Sequence, residues 1–436
     1  MSVTKRILVG ALTGALLVMI FSIVLGASPA AATPKTTIVF WHAMRGVNAA
    51  VLQELANQFE RENPQYHVDL KFVGSSNPQW GNDYSALYRG LLEGLATHHP
   101  PDVAQVYENW TTQLIDYGYV VPVQDYFNRS PRFSPADAAD IVPVFRKAVS
   151  YDGKIWTLPF NKSIYVLYYN ADMLASRGVA VPSTWDEFRN AARTLADPGR
   201  GIFGVSLTPN VDVLGHYMYS WGGDFVSGTR AVFNSPLGVA ALQYWVDLIN
   251  VDHSALPSFN PMAPFVNGKA GMYIYSTAVY SYLSHKVPFK LGMAPMPTAP
   301  GRSPRVQFAG TNLALFKTTP QRQAAGWKFI RFLSSREATV LWALKTGYLP
   351  IRESAIKSTA YQDWLARNAQ YRAAALNILN NGCVQPKVSA WESIRGIIDD
   401  AMFAAISRRV TVQEALNQAV SMSNDLIRKI LGDSSH

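Results

Sequence analysis

The chain has 436 residues, of which 48% are hydrophobic and 16% charged, and its net charge is +9. That balance excludes a disordered chain, and the length suffices for two domains with a substantial core. The Lys and Arg residues are dispersed, with no basic stripe interleaved with aromatics, so a nucleic-acid groove is excluded and a solvated basic surface is expected.

The chain opens with Lys5 and Arg6, an apolar run over residues 7–26, and the small residues Ala30-Ala31-Ala32. The pattern is that of a cleaved secretory signal peptide over residues 1–32. A run of about 20 apolar residues is also long enough to stay as a membrane anchor, but Gly14, Gly26 and Pro29 interrupt it where a peptidase needs extended chain. Loss of the two cations with the leader lowers the charge from +9 to +7. No cysteine lies near the cleavage site to carry a lipid, and the single Cys383 rules out an internal disulfide framework; it is expected to be a small buried apolar residue.

The mature chain begins with a strand, residues 37–41, followed by Leu52, Leu55, Ala56 and Phe59 at helical spacing, a stop at Asn63-Pro64, and an alternating strand through Val68, Leu70 and Phe72. This is a β-α-β unit with parallel pairing. A helix over 86–95 and a strand over 103–107 repeat the pattern. Tyr151-Asp152-Gly153-Lys154 is a turn leading into a strand over 155–159. The apolar run 164–169 reads as a buried strand that carries the chain between lobes. Ser183 or Thr184 caps a helix whose acidic first turn suits the dipole, and amphipathic helices are expected over 324–333 and 410–431. No internal repeat or low-complexity tract is present.

Seven segments then line up in one order: Phe40-Trp41-His42, Pro101-Asp102-Val103, Tyr151-Asp152-Gly153-Lys154, Leu167-Tyr168-Tyr169-Asn170, Thr184-Trp185-Asp186-Glu187-Phe188, Phe265 with Gly268-Lys269-Ala270-Gly271-Met272, and Thr346-Gly347-Tyr348-Leu349-Pro350. Each is weak alone; in this order they span nearly the whole mature chain. The chain resembles the family 1 extracellular solute-binding proteins of ABC importers, and within them the glycerol-3-phosphate-binding periplasmic receptors, echoed by Phe40-Trp41-His42-Ala43-Met44-Arg45-Gly46, Gln105-Val106-Tyr107-Glu108 and Pro159-Phe160-Asn161-Lys162-Ser163.

The resemblance implies an α/β, two-lobe periplasmic-binding-protein fold with hinge strands and a ligand cleft between the lobes. It implies a monomer that captures glycerol-3-phosphate or a related glycerophosphodiester, or alternatively a sugar or oligosaccharide of the maltose or trehalose type, and hands it to the transmembrane subunits of a permease outside the cytoplasm. No cofactor, metal or catalysis is implied. The crossing strands suggest a first lobe of residues 33–162 plus 306–340 and a second of 163–305 plus 341–436.

Carried over by position, the ligand contacts fall on Tyr84, Glu108, Ser163, Ser276, Gly310, Tyr348 and Arg395. These residue types also make chemical sense together. A buried phosphate ester needs a cation and several donors. Arg395 supplies the fork, Ser163, Ser276, Tyr348 and the amide at Gly310 supply donors, and Glu108 accepts from vicinal hydroxyls, with Tyr84 adding a donor and an apolar face. Structural roles compete with each: Arg395 pairs equally well with Asp399 one turn on, the serines cap backbone groups, and the tyrosines pack in the core or against the hinge. Glu108 follows the carboxyl end of a strand, where ligands are met in open α/β sheets.

His42 beside Trp41 and Glu108 invites a catalytic reading, for instance a glycoside-active enzyme, but no nucleophile elbow, metal-ligand spacing, second carboxylate or glycine-rich phosphate loop accompanies it. Trp80, Trp110, Trp156, Trp221 and Trp391 are candidates for stacking on a sugar or choline, although most large aromatics serve the core. One departure bears on the ligand. Where the glycerol-3-phosphate receptors place paired tryptophans, this chain reads Val205-Ser206-Leu207-Thr208-Pro209-Asn210-Val211. A more open wall suits a glycerophosphodiester such as glycerophosphocholine, or a sugar of the maltose or trehalose type. Tyr217, Tyr219 and Trp221 are candidates for a choline cage.

Overall fold

The computed structural model describes residues 35–74, 84–129 and 132–433. The export segment and Trp80 lie outside the described residues. Thr36–His42 pairs in parallel with Tyr66–Phe72 on one side and Val103–Val106 on the other, joined by the helix Gly46–Glu62, which gives the expected β-α-β crossover. Alternation along the first strand sets up two layers. Ile38 and Phe40 pack with Leu52, Leu55, Phe59 and Phe329 on one face, while Trp41 and Ala43 pack with Leu87, Leu91 and Trp110 on the other. Helices Gly46–Glu62 and Pro320–Leu333 therefore cover one side, and Tyr84–Ala96 and Glu108–Asp116 the other.

A second sheet runs in the order Ala255–Pro257, Phe203–Leu207, Ala270–Ser276, Ser163–Asn170, Val306–Ala309, Gly382–Cys383, with Leu291–Ala294 also pairing to Ser163–Asn170. The helix Trp185–Leu195 flanks this sheet, and its start resolves the cap. The Thr184 side chain accepts from the Glu187 amide and the Glu187 carboxylate accepts from the Thr184 amide, a reciprocal box that satisfies two orphan donors. Helices Trp391–Ile406 and Val412–Asp433 pack on each other and on Pro236–Asn250.

The long buried strand Ser163–Asn170 is where the sequence places it, but two neighbouring expectations change. The strand expected over 155–159 is broken at Trp156. Lys154–Ile155 forms a hairpin with Ser150–Tyr151, whereas Thr157–Pro159 joins the first sheet beside Asn312–Phe316. The hairpin turn puts Asp152 at φ 47° and Gly153 at φ 76°, the primed geometry that matches strand twist. Residues 306–309 belong to the second sheet, through Phe308 opposite Ile164 and Ala309 opposite Ser163, and the return to the first begins only at Asn312. That return also continues past 340: helix Arg336–Thr346 packs on Gly46–Glu62, and Asp140 holds the Ser354 amide at 2.8 Å and the Arg352 guanidinium at 3.1 Å.

Cys383 ends the short edge strand of the second sheet, half-buried, with its thiol pushed up to about 12 by burial.

Candidate functional site

The two sheets are connected side by side at Pro159 to Ser163 and at Ala309 to Asn312, and the side chains of these crossings form one buried polar knot. Gln105, at the carboxyl half of Val103–Val106, donates to Asn161 Oδ1 and Thr311 Oγ1, each at 3.1 Å, and accepts from the Ala43 amide at 3.0 Å. Thr311 Oγ1 in turn donates to Asn161 Oδ1 at 2.5 Å, and Asn161 Nδ2 donates to the Tyr84 hydroxyl at 3.0 Å. Gly310 has φ +87°, and a Cβ there would sit 1.7 Å from the Asn161 carbonyl oxygen. The main chain at Gly310 thus makes a close approach to the other crossing that no side chain would permit.

Glu108 is the first residue of the helix Glu108–Asp116, just beyond the strand end, where the helix dipole favours its charge. Its Oε1 accepts from Lys162 Nζ at 2.6 Å and from Asn312 Nδ2 at 3.2 Å; Lys162 also donates to the Gly310 carbonyl at 3.3 Å. Lys162 and Glu108 expose only 1% and 7% of their side chains, so the pair is taken wholly out of water. The backbone of Lys162 also accepts from the Leu349 amide at 2.7 Å, which ties the segment carrying Tyr348 to the same crossing.

On the second lobe, Arg395 projects from Trp391–Ile406 and grips Asp212 with both fork nitrogens, at 3.0 and 3.1 Å. Asp399, the expected partner one turn on, instead accepts from the Val211 amide at 2.6 Å and is pushed up to about 6 by burial. Asp212 also accepts from Gln307 at 2.8 Å, Gln385 at 3.1 Å and Tyr165 at 3.4 Å. Although burial acts in the opposite direction, Arg395 and these donors hold its carboxyl down at about 2.

Tyrosines bridge the two charged pairs. Tyr84 meets Tyr107 edge-on with ring centroids 5.2 Å apart, and its hydroxyl is hydrogen-bonded to that of Tyr348. Tyr348 is buried and stacks on Trp342 at 5.7 Å. The phenol of Tyr107 is held well above its ordinary range, first by burial and then by Tyr348, with Arg395 opposing and Asp212 and Glu392 adding, so it lies within the field of groups from both lobes. Tyr275, with its ring 6.2 Å from that of Tyr165, borders the same region. Tyr84, Glu108, Tyr348 and Arg395 thus flank one interlobe region.

Ser163 and Ser276 are buried at the adjoining ends of strands Ser163–Asn170 and Ala270–Ser276. Ser276 precedes the short helix Thr277–Val279 without a side-chain capping bond, so the capping role does not apply to it. The residues the sequence did not single out are the partners: Lys162, Gln105, Asn161, Thr311 and Asn312 at the crossings, and Asp212 opposite Arg395. Lys162 and Asn161 stand inside the quoted segment Pro159-Phe160-Asn161-Lys162-Ser163, the one signal that could have found them.

Other expectations resolve into packing. Tyr217 lies among Trp185, Tyr244 and Trp221, and Tyr219 is buried against Phe225 under Arg305, so these residues serve the second-lobe interior and do not form a choline cage. Trp110 and Trp391 are buried and donate to Glu392 and Gln385. His42 is buried, its Nδ1 accepts from the Met44 amide at 3.2 Å, and burial pushes it down to about 4, so it is a neutral, engaged imidazole.

The lobes also touch outside this region. Glu392 accepts from Trp110 Nε1 at 3.0 Å and Asn109 Nδ2 at 3.2 Å, Ser389 bonds Asp116, and Lys387 donates to the Lys147 and Ser150 carbonyls while covering the Tyr151 ring at 4.1 Å. Two charged pairs and a tyrosine cluster thus lie together beside the crossings between the two sheets. Among the described residues, no His/Cys/Asp/Glu group has the spacing to hold a metal.

The family model of bacterial extracellular solute-binding proteins matches residues 46–340. The chain belongs to that family. It is 26% identical over 417 residues to the sn-glycerol-3-phosphate-binding periplasmic protein UgpB of Escherichia coli K12, covering 90% of this chain and 93% of that one. Among solved structures, it is similar to UgpB from Mycobacterium tuberculosis in complex with glycerophosphocholine, with a TM-score of 0.81 at 22% identity over 92% of this chain and 100% of that one. It is also similar to the GacH receptor of Streptomyces glaucescens, solved unliganded and with acarbose, with a TM-score of 0.79 at 21% identity over 91% and 99% of the two chains. The two-lobe fold of these binding proteins is the fold of this chain. Among the described residues, no helix is long and apolar enough to cross a membrane.

Proposed function

We propose that the protein is the extracytoplasmic receptor of an ABC importer, capturing a glycerophosphodiester in preference to glycerol-3-phosphate and delivering it unchanged to the permease. The lobes divide at the crossings 159–163 and 309–312, and the guest contacts Tyr84, Glu108, Ser163, Ser276, Gly310, Tyr348 and Arg395 between them. The observation that carries the ligand preference is that the half-buried Arg395 and the buried Lys162 each already hold a carboxylate, Arg395 with Asp212 and Lys162 with Glu108. A doubly charged phosphate monoester would have to displace one of these carboxylates or be buried beside both, at a large desolvation cost. A diester carrying one negative charge and a quaternary ammonium is neutral overall, and the faces of Tyr84, Tyr107 and Tyr275 suit its cationic end.

The same charge balance favours a neutral sugar as the second reading, in keeping with the acarbose-bound relative. Isothermal titration with glycerophosphocholine, glycerol-3-phosphate, maltose and trehalose tests both. Binding of glycerophosphocholine at least tenfold tighter than glycerol-3-phosphate is expected. Heat with maltose or trehalose alone would transfer the protein to the sugar receptors, and tighter binding of glycerol-3-phosphate would refute the charge argument.

A further inference from the structure

Among the described residues, His216 is a buried imidazole of this region with both ring nitrogens unengaged by the ion pairs. It lies on the helix Val211–Ser220, one turn after Asp212, and is only 4% exposed. Its ring is tilted against Tyr165 with centroids 4.3 Å apart, and Tyr165 is the residue whose hydroxyl donates to Asp212 and whose ring borders Tyr275. His216 is therefore in the same wall as the Asp212 and Arg395 pair. Yet neither Nδ1 nor Nε2 has a hydrogen-bond partner among the described residues.

That is an unusual state for an imidazole. Buried polar groups are almost always paired, and each one left unmade carries the full cost of its desolvation. Burial keeps the ring neutral by pushing it down to about 4, against the pull of Asp212. A neutral imidazole offers one N–H donor and one bare acceptor nitrogen. A carboxylate or a phosphate can satisfy only the donor, and an ammonium only the acceptor. A hydroxyl group satisfies either, and a pair of neighbouring hydroxyls satisfies both. Helix packing alone would be served as well by Leu or Met at this position, without two orphaned nitrogens.

Resting on the reading of the protein as a receptor for a hydroxylated solute, we propose that His216 is a specificity-determining residue that hydrogen-bonds a hydroxyl of the guest, the diol end of a glycerophosphodiester or a ring hydroxyl of a sugar. Arg395 and Asp212 then orient the guest, and His216 reports whether its hydroxyl is there. Sites built to bond a substrate hydroxyl discriminate strongly against the analogue that lacks it, because the site's own buried polar atom is then left unpaired. In this protein the discrimination falls on the hydroxylated end, separate from the charged end that the ion pairs sense.

The test is a cycle between residue and ligand. Affinities of the wild type, His216→Leu and His216→Gln are measured by titration calorimetry for glycerophosphocholine and its deoxy analogue lacking the terminal hydroxyl, with maltose and a deoxymaltose in their place if maltose is the solute that binds. Thermal melts of all three proteins establish that each is folded. The wild type is expected to prefer the hydroxylated ligand by about 10- to 100-fold, His216→Leu to lose that preference, and His216→Gln, which keeps a donor and an acceptor, to retain most of it. Long-range nitrogen NMR of the imidazole is expected to shift on saturation with the hydroxylated ligand. An unchanged preference in folded His216→Leu, or imidazole signals that do not move at saturation, overturns the assignment while leaving the receptor reading intact. A wild type that binds none of these solutes overturns both.

Discussion

Replacing Lys162 with Met removes the cation from the buried pair and leaves Glu108 without it. The side chains expose 1% and 7%, the Nζ to Oε1 distance is 2.6 Å, and Asn312 Nδ2 at 3.2 Å is the other donor to that oxygen. Breaking a buried pair from one side costs about 3–5 kcal/mol, because the surviving charge is stranded, whereas replacing both partners with neutral groups costs far less. Lys162→Met is therefore expected to lose about 3–5 kcal/mol in equilibrium urea unfolding at pH 7, followed by tryptophan fluorescence. Glu108→Gln together with Lys162→Met is expected to recover at least half of that loss, since the amide needs no counter-ion. The double-mutant cycle isolates the pair from the rest of the knot. A loss below about 1 kcal/mol in Lys162→Met, or a double variant as unstable as the sum of the singles, would refute the view that this pair fastens the crossings.

Acid should act through the buried histidines. His42 and His216 are both pushed down to about 4, whereas unfolded imidazoles take a proton near 6.5. Their contribution is full above pH 6.5 and lost as pH falls through 4, on the order of 3 kcal/mol each. Asp399, raised to about 6, opposes this by becoming relatively more favourable as pH drops from 6 to 4, and Asp212 keeps its full contribution above pH 3.8 and loses it only as pH falls from there through 2. Urea midpoints measured from pH 7 to 4 should fall, and His216→Gln should flatten the slope. Gly310→Ala forces a Cβ to 1.7 Å from the Asn161 carbonyl in a left-handed conformation; a loss of about 3 kcal/mol or more is expected by thermal or urea unfolding, and a neutral result would mean that the crossings separate freely. Glu392→Ala removes the acceptor of Trp110 and Asn109. It should shift the lobes toward opening, seen as a larger radius of gyration in solution scattering, and weaken ligand affinity about tenfold; unchanged scattering and affinity would assign closure to other contacts.

Much of the frame was legible because it rests on local periodicity. The alternation through Ile38, Phe40 and Trp41, the helical spacing of Leu52, Leu55 and Phe59, and the Thr184 to Glu187 cap are each set within a few residues, and all of these elements form. The strand Ser163–Asn170 was readable from its unbroken apolar and aromatic run, as expected of a strand buried on both faces. The break at Trp156 was not, since a hairpin strand and a sheet strand carry the same residue types, and only the Asp152-Gly153 turn hints at the difference. Nor was the sheet change at Gly310, where a single left-handed glycine redirects the chain.

At the site, residue types were easier to read than pairings. Arg395 could be singled out, but spacing suggested Asp399, four positions away, while Asp212 is 183 positions away on a helix that folding brings alongside. Glu108 was recognisable from its place after a strand, whereas Lys162, 54 positions on, reads in sequence as an ordinary surface lysine. Tyr217 and Trp221 looked like a cage from their proximity along the chain; three-dimensional packing with Trp185 and Tyr244 gives them another task.

The half-buried Cys383, whose thiol is pushed up to about 12, has a practical corollary. Because the attacking species is the thiolate, the native sulfur should stay almost inert to maleimide dyes at neutral pH. A cysteine introduced at Asp116 or Ser389, on facing rims of the lobes, would then take the fluorophore selectively, turning the unmodified background into a ready reagentless sensor for whichever solute this receptor retains.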